Sequence, residues 1–173
     1  MLGVKAGDID KMGLLFERHH KQLFGFVYHM TGKVAYSEDL VQTVFYRMLK
    51  YRHTFKGDGE FKTWMYHLSR NLIKDTFRKS NRIDYLDDLS LHTSEMKSEN
   101  MDDEMERKEE SERLHKAVSK LRNDSKEVLV LSKFQEMSYR EIADVLKISE
   151  ANVKVKVHRA MTELKKVYLI KER

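Results

Sequence analysis

Proline and cysteine are both absent from this 173-residue chain, and it has only 7 glycines. Without proline no helix interior loses an N–H, so long helices meet no internal obstacle. Without cysteine there are no disulfides and no thiolate metal centres, a composition compatible with a reducing compartment. No apolar run approaches the length of a bilayer span, and the opening MLGVKAGDIDK lacks the apolar core of a signal peptide. A helical, cytoplasmic protein with no direct membrane insertion is the expectation.

Charge is what the chain has in quantity. Charged residues make up 35% of it, and the net charge of +5 hides a strong segregation. Residues 1–82 carry +7, residues 83–112 carry −9, and residues 113–173 carry +7 again. Two basic blocks around an acidic one suit two polyanion-binding units joined by a linker of different character. The fold class expected is all-α: two small helical domains over residues 8–82 and 112–170, joined by an acidic flexible linker over 83–111. That linker lacks a sustained apolar stripe.

The most informative stretch is MSYREIADVLKISEANVKVKVHRAMTELKK, residues 137–166. Ser138 can accept from free N–H groups at a helix start, and Glu141 completes a capping box. Ile142, Ala143, Val145 and Leu146 then point inward. Lys147 and Ile148 break the helix, and Ser149 is placed to cap the next. In that helix Val153, Val157, Ala160 and Leu164 form one buried stripe, leaving Glu150, Asn152, Lys154, Lys156 and Arg159 outward. A short helix, a tight turn and a second helix with a polar, basic outer face form a helix-turn-helix, whose second helix enters the major groove. An ordinary helical hairpin with a solvated face would show the same periodicity.

Upstream, the pattern predicts a helix from about Asp8 to Met30, with Leu15, Phe16, Leu23, Phe24 and Val27 inward. His19, His20 and His29 lie on it, but no acidic or cysteine ligands sit at a matching spacing, so neither a metal nor any cofactor is expected. Ser37, Glu38 and Asp39 read as the capped start of a second helix that buries Leu40, Val44 and Met48. Asp39, Gln42, Thr43 and Tyr46 remain for its outside. The loop HTFKGDGE, residues 53–60, lacks the length and the Lys-Ser/Thr ending of a nucleotide phosphate loop. A third helix, Phe61 to about Asn81, carries Phe61, Trp64, Met65, Leu68, Leu72 and Phe77 on its apolar side. Its other faces bear Lys62, His67, Arg70, Asn71, Lys74, Arg78 and Lys79. A basic helix interleaved with aromatics behind a glycine loop suits single-stranded nucleic acid, with cations along phosphates and a pocket or ring for a base. Trp64 reads as core by its place in the apolar stripe. A further helix runs from Ser111 to Leu121, and Asp124 with Glu127 reads as a second capping box before VLVLSKF. Leu114, Val118, Leu121, Val128, Leu131 and Phe134 supply the core beneath the helix-turn-helix.

SEDLVQTVFYRML, the glycine-containing loop and FKTWMYHLSRNLIKDTFRK together resemble region 2 of bacterial extracytoplasmic-function (ECF) RNA polymerase sigma factors. LSKFQEMSYREIADVLKISEANVKVKVHRAMTELKK resembles their region 4. The two matches span roughly residues 10–82 and 112–168, in the family order. The resemblance implies a transcription initiation factor, not an enzyme, that recruits core RNA polymerase to promoters and opens the DNA. It implies polymerase binding through Asp39, Leu40, Gln42, Thr43 and Phe45. It implies −10 strand binding through Lys56, Gly57, Asp58, His67, Arg70, Asn71, Lys74 and Arg78. Ser149, Glu150, Asn152, Lys154, Lys156 and Arg159 would meet the −35 duplex. An anti-sigma factor is a further implied partner, and the acidic linker would thread the polymerase channel.

The chain also departs from that family pattern. Leu121-Arg122 stands where Leu-Pro is common, and Lys147 occupies a turn that usually takes Gly or Asn. Val155 and Lys156 replace a frequent Ser and Arg, and Lys cannot reproduce the planar bidentate contact of Arg to guanine. A polymerase-independent helix-turn-helix regulator would leave the basic aromatic helix and the Asp39–Gln42 face unexplained. A nuclease using Asp39, Asp58 and the histidines lacks gathered carboxylates.

Overall fold

The computed structural model describes residues 1–57, 60–83 and 103–169, and among these every regular element is helical. In chain order they are α1 (Leu2–Lys5), α2 (Lys11–Thr31), α3 (Val34–Lys50), α4 (Phe61–Ile83), α5 (Asp103–Ser119), α6 (Asn123–Leu129), α7 (Tyr139–Leu146) and α8 (Glu150–Leu169). A 3₁₀ turn at Arg52–Thr54 precedes α4, and a π-helical turn at Val130–Phe134 follows α6.

Helices α2, α3 and α4 form the first cluster. Leu23, Phe26 and Val27 of α2 meet Leu40, Val44 and Met48 of α3 and Met65, Tyr66 and Leu72 of α4, all buried. Burying side chains of this size stabilises by roughly 1.5–3 kcal/mol each. Phe26, absent from the expected core, is fully buried with its ring edge-on to Tyr66 at 5.2 Å. Phe16 and Phe77, both expected inside, are exposed. Helix α2 ends where Gly32 turns left-handed at φ 73 and donates its N–H to the Tyr28 carbonyl. The capped start expected at Ser37 is not formed. Helix α3 begins at Val34, and Ser37 is buried inside its first turn. There its hydroxyl donates to the Lys33 carbonyl at 2.6 Å and pairs with the Thr31 hydroxyl at 2.7 Å.

Helices α5 to α8 form the second cluster. The capping box at α7 forms as expected: Glu141 N–H donates to the Ser138 hydroxyl, and Ser138 N–H donates to the Glu141 carboxylate. Lys147 ends α7 at φ 58, ψ 46, in the left-handed conformation that carries a modest strain cost for a non-glycine residue. Ser149 accepts from Asn152 N–H at 3.2 Å, and Val153, Val157, Ala160 and Leu164 are buried. The second capping box does not form. Helix α6 is capped across the fold by Glu163 of α8, which accepts from Arg122 N–H at 3.2 Å and the Ser125 hydroxyl at 2.6 Å. Those hydrogen bonds, the one from Ser125 foremost, hold the Glu163 carboxyl below its ordinary range. Asp124 is left exposed, and Glu127 turns towards α4.

Helix α5 starts at Asp103, so residues 103–111, expected as linker, are helical; residues 84–102 lie outside the described residues. The two clusters also pack against one another. Tyr66 donates to Gln135 at 2.7 Å, Arg70 pairs with Glu127 at 2.7 Å, and His29 meets His115 at 3.2 Å between ring nitrogens.

Candidate nucleic-acid interface

Helix α4 presents the basic stripe. Positions 67, 70, 71, 74 and 78 fall within about 100° of arc on a 3.6-residue helix. The opposite side, Met65, Ser69, Leu72 and Ile73, is buried and anchors the helix. Asn71, Lys74 and Arg78 are exposed, whereas His67 and Arg70 are half-buried. The Asn71 amide lies 3.4 Å from His67 Nδ1, one turn away. Burial, then the charges of Lys147 and Arg70, hold the His67 imidazole below its ordinary value, so it is neutral at neutral pH. The stripe therefore mixes cations with neutral hydrogen-bonding groups.

The loop before α4 is braced from beneath. Phe55 is buried against Trp64, with ring centroids 5.2 Å apart, and lies 6.5 Å from Phe61. That anchor leaves Lys56 and Gly57 exposed; Gly57 takes φ 83, a conformation that favours glycine. Asp58 lies outside the described residues. Lys56, Gly57, Trp64, His67 and Asn71 line one wall of a cleft of about 1220 Å³. Its other wall is Ser138, Arg140, Glu141, Asp144 and Lys147, from α7 and its flanks. Trp64 is thus only partly the core residue its spacing predicts, since the same ring also borders open space.

Not every residue of the expected set reaches that cleft. The Arg70 guanidinium pairs with Glu127, whose side chain is only 9% exposed. Lys74 stands beside it in a smaller hollow with Phe77, Asn123 and Asp124. Arg78 pairs loosely with Asp75 at 3.6 Å, both exposed.

Ser149, Glu150, Asn152, Lys154 and Arg159 share the solvent side of α8. Lys156, half-buried, lies 3.8 Å from the exposed Asp124, a solvent-screened pair of little energetic consequence. Val155 is exposed among them and offers an apolar contact that sequence reasoning did not assign.

On α3, Asp39 and Gln42 are exposed, and the Thr43 hydroxyl donates to the Asp39 carbonyl at 2.8 Å. Leu40 and Phe45 are buried, Phe45 with its ring 4.9 Å from Phe16. These two support the face from below and do not form its surface. Tyr46 continues the outer line of Asp39 and Gln42 by helical spacing and is 64% exposed.

The histidines of α2 do not converge. His19 is buried beside Phe61, His20 Nδ1 lies 2.9 Å from the Phe16 carbonyl, and His29 faces His115. Among the described residues no group of three or more His, Cys, Asp or Glu could hold a metal ion, and no helix is long and apolar enough to cross a membrane.

The family model for Sigma-70 region 2 matches residues 15–83, and that for Sigma-70 region 4 matches residues 111–164. The chain is 31% identical over 157 residues to the ECF RNA polymerase sigma factor SigX of Bacillus subtilis, covering 88% of this chain and 81% of that one. It is 28% identical over 172 residues to the ECF sigma factor SigW of the same organism, covering 94% and 91%. Among solved structures, the sigma factor RpoE in complex with the anti-sigma factor NepR from Bartonella quintana superposes with a TM-score of 0.72 at 20% identity, covering 91% of this chain and 96% of that one. CnrH in complex with the cytosolic domain of CnrY gives 0.72 at 23%, covering 96% and 92%.

Proposed function

This chain belongs to the extracytoplasmic-function sigma factors, non-catalytic transcription factors that direct RNA polymerase to promoters, and from that premise we propose how its surfaces divide the work. The cleft wall of Lys56, Gly57, His67 and Asn71 holds the melted −10 strand. Lys74 and Arg78 extend that track along phosphates, and Asp58 belongs to the same loop. The observation that carries this reading is the convergence of a braced glycine loop and a basic helix on one wall of open space. Cations neutralise phosphates, while neutral imidazole and amide groups meet an unstacked base. Arg70 is engaged by Glu127 in this arrangement, so its reach for a phosphate requires the two clusters to part.

Helix α8 reads the −35 duplex. Ser149 caps the helix, Glu150 and Asn152 meet base edges near its N-terminus, Lys154 stands at the boundary, and Lys156 and Arg159 meet phosphates. Asp39 and Gln42, with Thr43 at their margin, form the face for core polymerase; Leu40 and Phe45 hold that face in shape. An anti-sigma factor is a partner by likeness to the chains solved in such complexes, and a cytoplasmic site of action follows from the work itself.

The test is strand binding by the holoenzyme. Changing His67 and Asn71 to Ala should weaken binding of a single-stranded −10 oligonucleotide by roughly 1–3 kcal/mol per stacked or paired base. Binding of a −35 duplex should be unchanged. Equal loss on both probes, or none on the single strand, would contradict the division.

A further inference from the structure

The opening residues precede both segments matched by the family models, yet they bear directly on the candidate base-binding loop. Helix α1 buries Val4 completely. From that anchor the Lys5 ammonium donates to the backbone carbonyl of Phe55 at 2.6 Å, across 50 positions of sequence. Leu2 lies over Gly57: a β-carbon on Gly57 would stand 2.7 Å from Leu2 Cδ2. At the base of this hook the Lys11 stem lies over Gly3, where a β-carbon would stand 2.8 Å from it, and Lys11 pairs in the open with Asp8 at 2.8 Å.

The loop is thus held from two sides. The Phe55 ring fixes it to Trp64 from within, and α1 fixes its backbone from outside. The loop's own turn uses Phe55 N–H, which donates to the Arg52 carbonyl, and Lys5 takes the carbonyl on the other side of the same residue. A charge-assisted hydrogen bond is shorter and stronger than a neutral one, so a single ammonium can fix a peptide that would otherwise turn. Fixing it before binding removes an ordering cost that strand capture would otherwise carry.

We propose that α1 is a strut for the strand-capturing loop, with Lys5 and Leu2 as positioning residues that set where Lys56 and Gly57 stand. The proposal rests on the reading that this loop meets the −10 strand. Lys5 acts through a carbonyl and not through a phosphate. Its removal therefore changes the geometry of capture without removing a counterion-releasing contact. Gly57 lies beneath the Leu2 side chain, but it is its own φ of 83 that calls for glycine, since the exposed end of Leu2 is free to move aside.

The experiment uses full-length protein in holoenzyme with core polymerase, permanganate reactivity of −10 thymines on a mapped promoter, and the salt dependence of promoter binding. Lys5→Met should reduce thymine reactivity several-fold, with core affinity and −35 duplex binding unchanged, and Lys5→Arg should restore it. The salt slope should stay at the wild-type value for Lys5→Met, whereas Lys56→Ala should lower it by about one unit. Leu2→Ala provides a milder second variant, expected to shift reactivity in the same direction. A wild-type bubble with both Lys5→Met and Leu2→Ala would overturn the strut, as would a slope lowered by Lys5→Met as much as by Lys56→Ala. If Gly57→Val loses the bubble while Lys5→Met and Leu2→Ala keep it, the strut alone fails. If none of these variants nor Lys56→Ala affects opening, the loop reading beneath it fails.

Discussion

Asn152 and Lys156 stand four positions apart on α8, and the proposal gives them different work. Asn152 is exposed near the helix N-terminus, where such helices sit deepest in the groove, and its amide can pair with adenine. Lys156 is further along, half-buried beside Asp124, where a helix drifts towards the backbone. Lys156→Ala should lower affinity evenly across a promoter library, with a salt slope reduced by about one unit. Asn152→Ala should cost roughly 1–3 kcal/mol on the preferred site and re-rank the library. The opposite pattern would reverse the orientation of α8. At this scale the sequence was legible wherever a side chain bonds its own neighbourhood. Ser138 with Glu141, and Ser149, both follow from residues one turn away. Ser37 and the Asp124–Glu127 pair offered the same local signals, but tertiary partners decided them. Glu163 reaches α6 from about 40 positions away and supplies the cap, while Glu127 is drawn off by Arg70.

Helices α3 and α5 show what periodicity captures and what it does not. In α3 the buried line of Leu40, Val44 and Met48 was legible from spacing, and with it the outer line of Asp39 and Gln42. Phe45 was not, because its burial depends on the ring of Phe16 across the helix pair. These positions give opposite expectations. Changing Asp39 and Gln42 to Ala should weaken core polymerase binding by more than about 1 kcal/mol with helicity unchanged by circular dichroism. Leu40→Ala should instead lower stability by about 2–5 kcal/mol through the cavity it leaves. A double variant that keeps full affinity in a pull-down would remove α3 from the polymerase interface. Helix α5 escaped sequence reading in its first turns because it has almost no apolar stripe there. The Glu, Lys, Arg and Met that fill it are strong helix formers, and pairs such as Arg113–Glu109 at 3.5 Å and Lys116–Glu112 at 3.8 Å link successive turns.

Across the whole molecule the two helical clusters, legible from two basic blocks and two motifs, meet along a seam that no local pattern announces. Its contacts join residues 57 to 86 positions apart: Arg70 to Glu127, Tyr66 to Gln135 and His29 to His115. At that seam burial first, then the charges of His115 and Lys126, push His29 down to about 4. Its folded value lies below the ordinary 6.5, so the packing is fully supported above about 6.5 and loses support as pH falls through about 4. The urea midpoint should fall across that window, and His29→Phe should flatten the decline; an equally steep decline in the variant would exclude His29 as its source. The seam engages Arg70 while α8 remains exposed, and the protein as a whole is a factor that directs RNA polymerase to promoters. The most direct measurement of that account is run-off transcription by core RNA polymerase with and without this protein, with start sites mapped and −10 thymines probed by permanganate. Discrete starts and reactive thymines should require both the protein and the core enzyme, and should vanish when Asp39 and Gln42 are changed to Ala. Duplex binding with no protein-dependent starts, or starts indifferent to that variant, would contradict it.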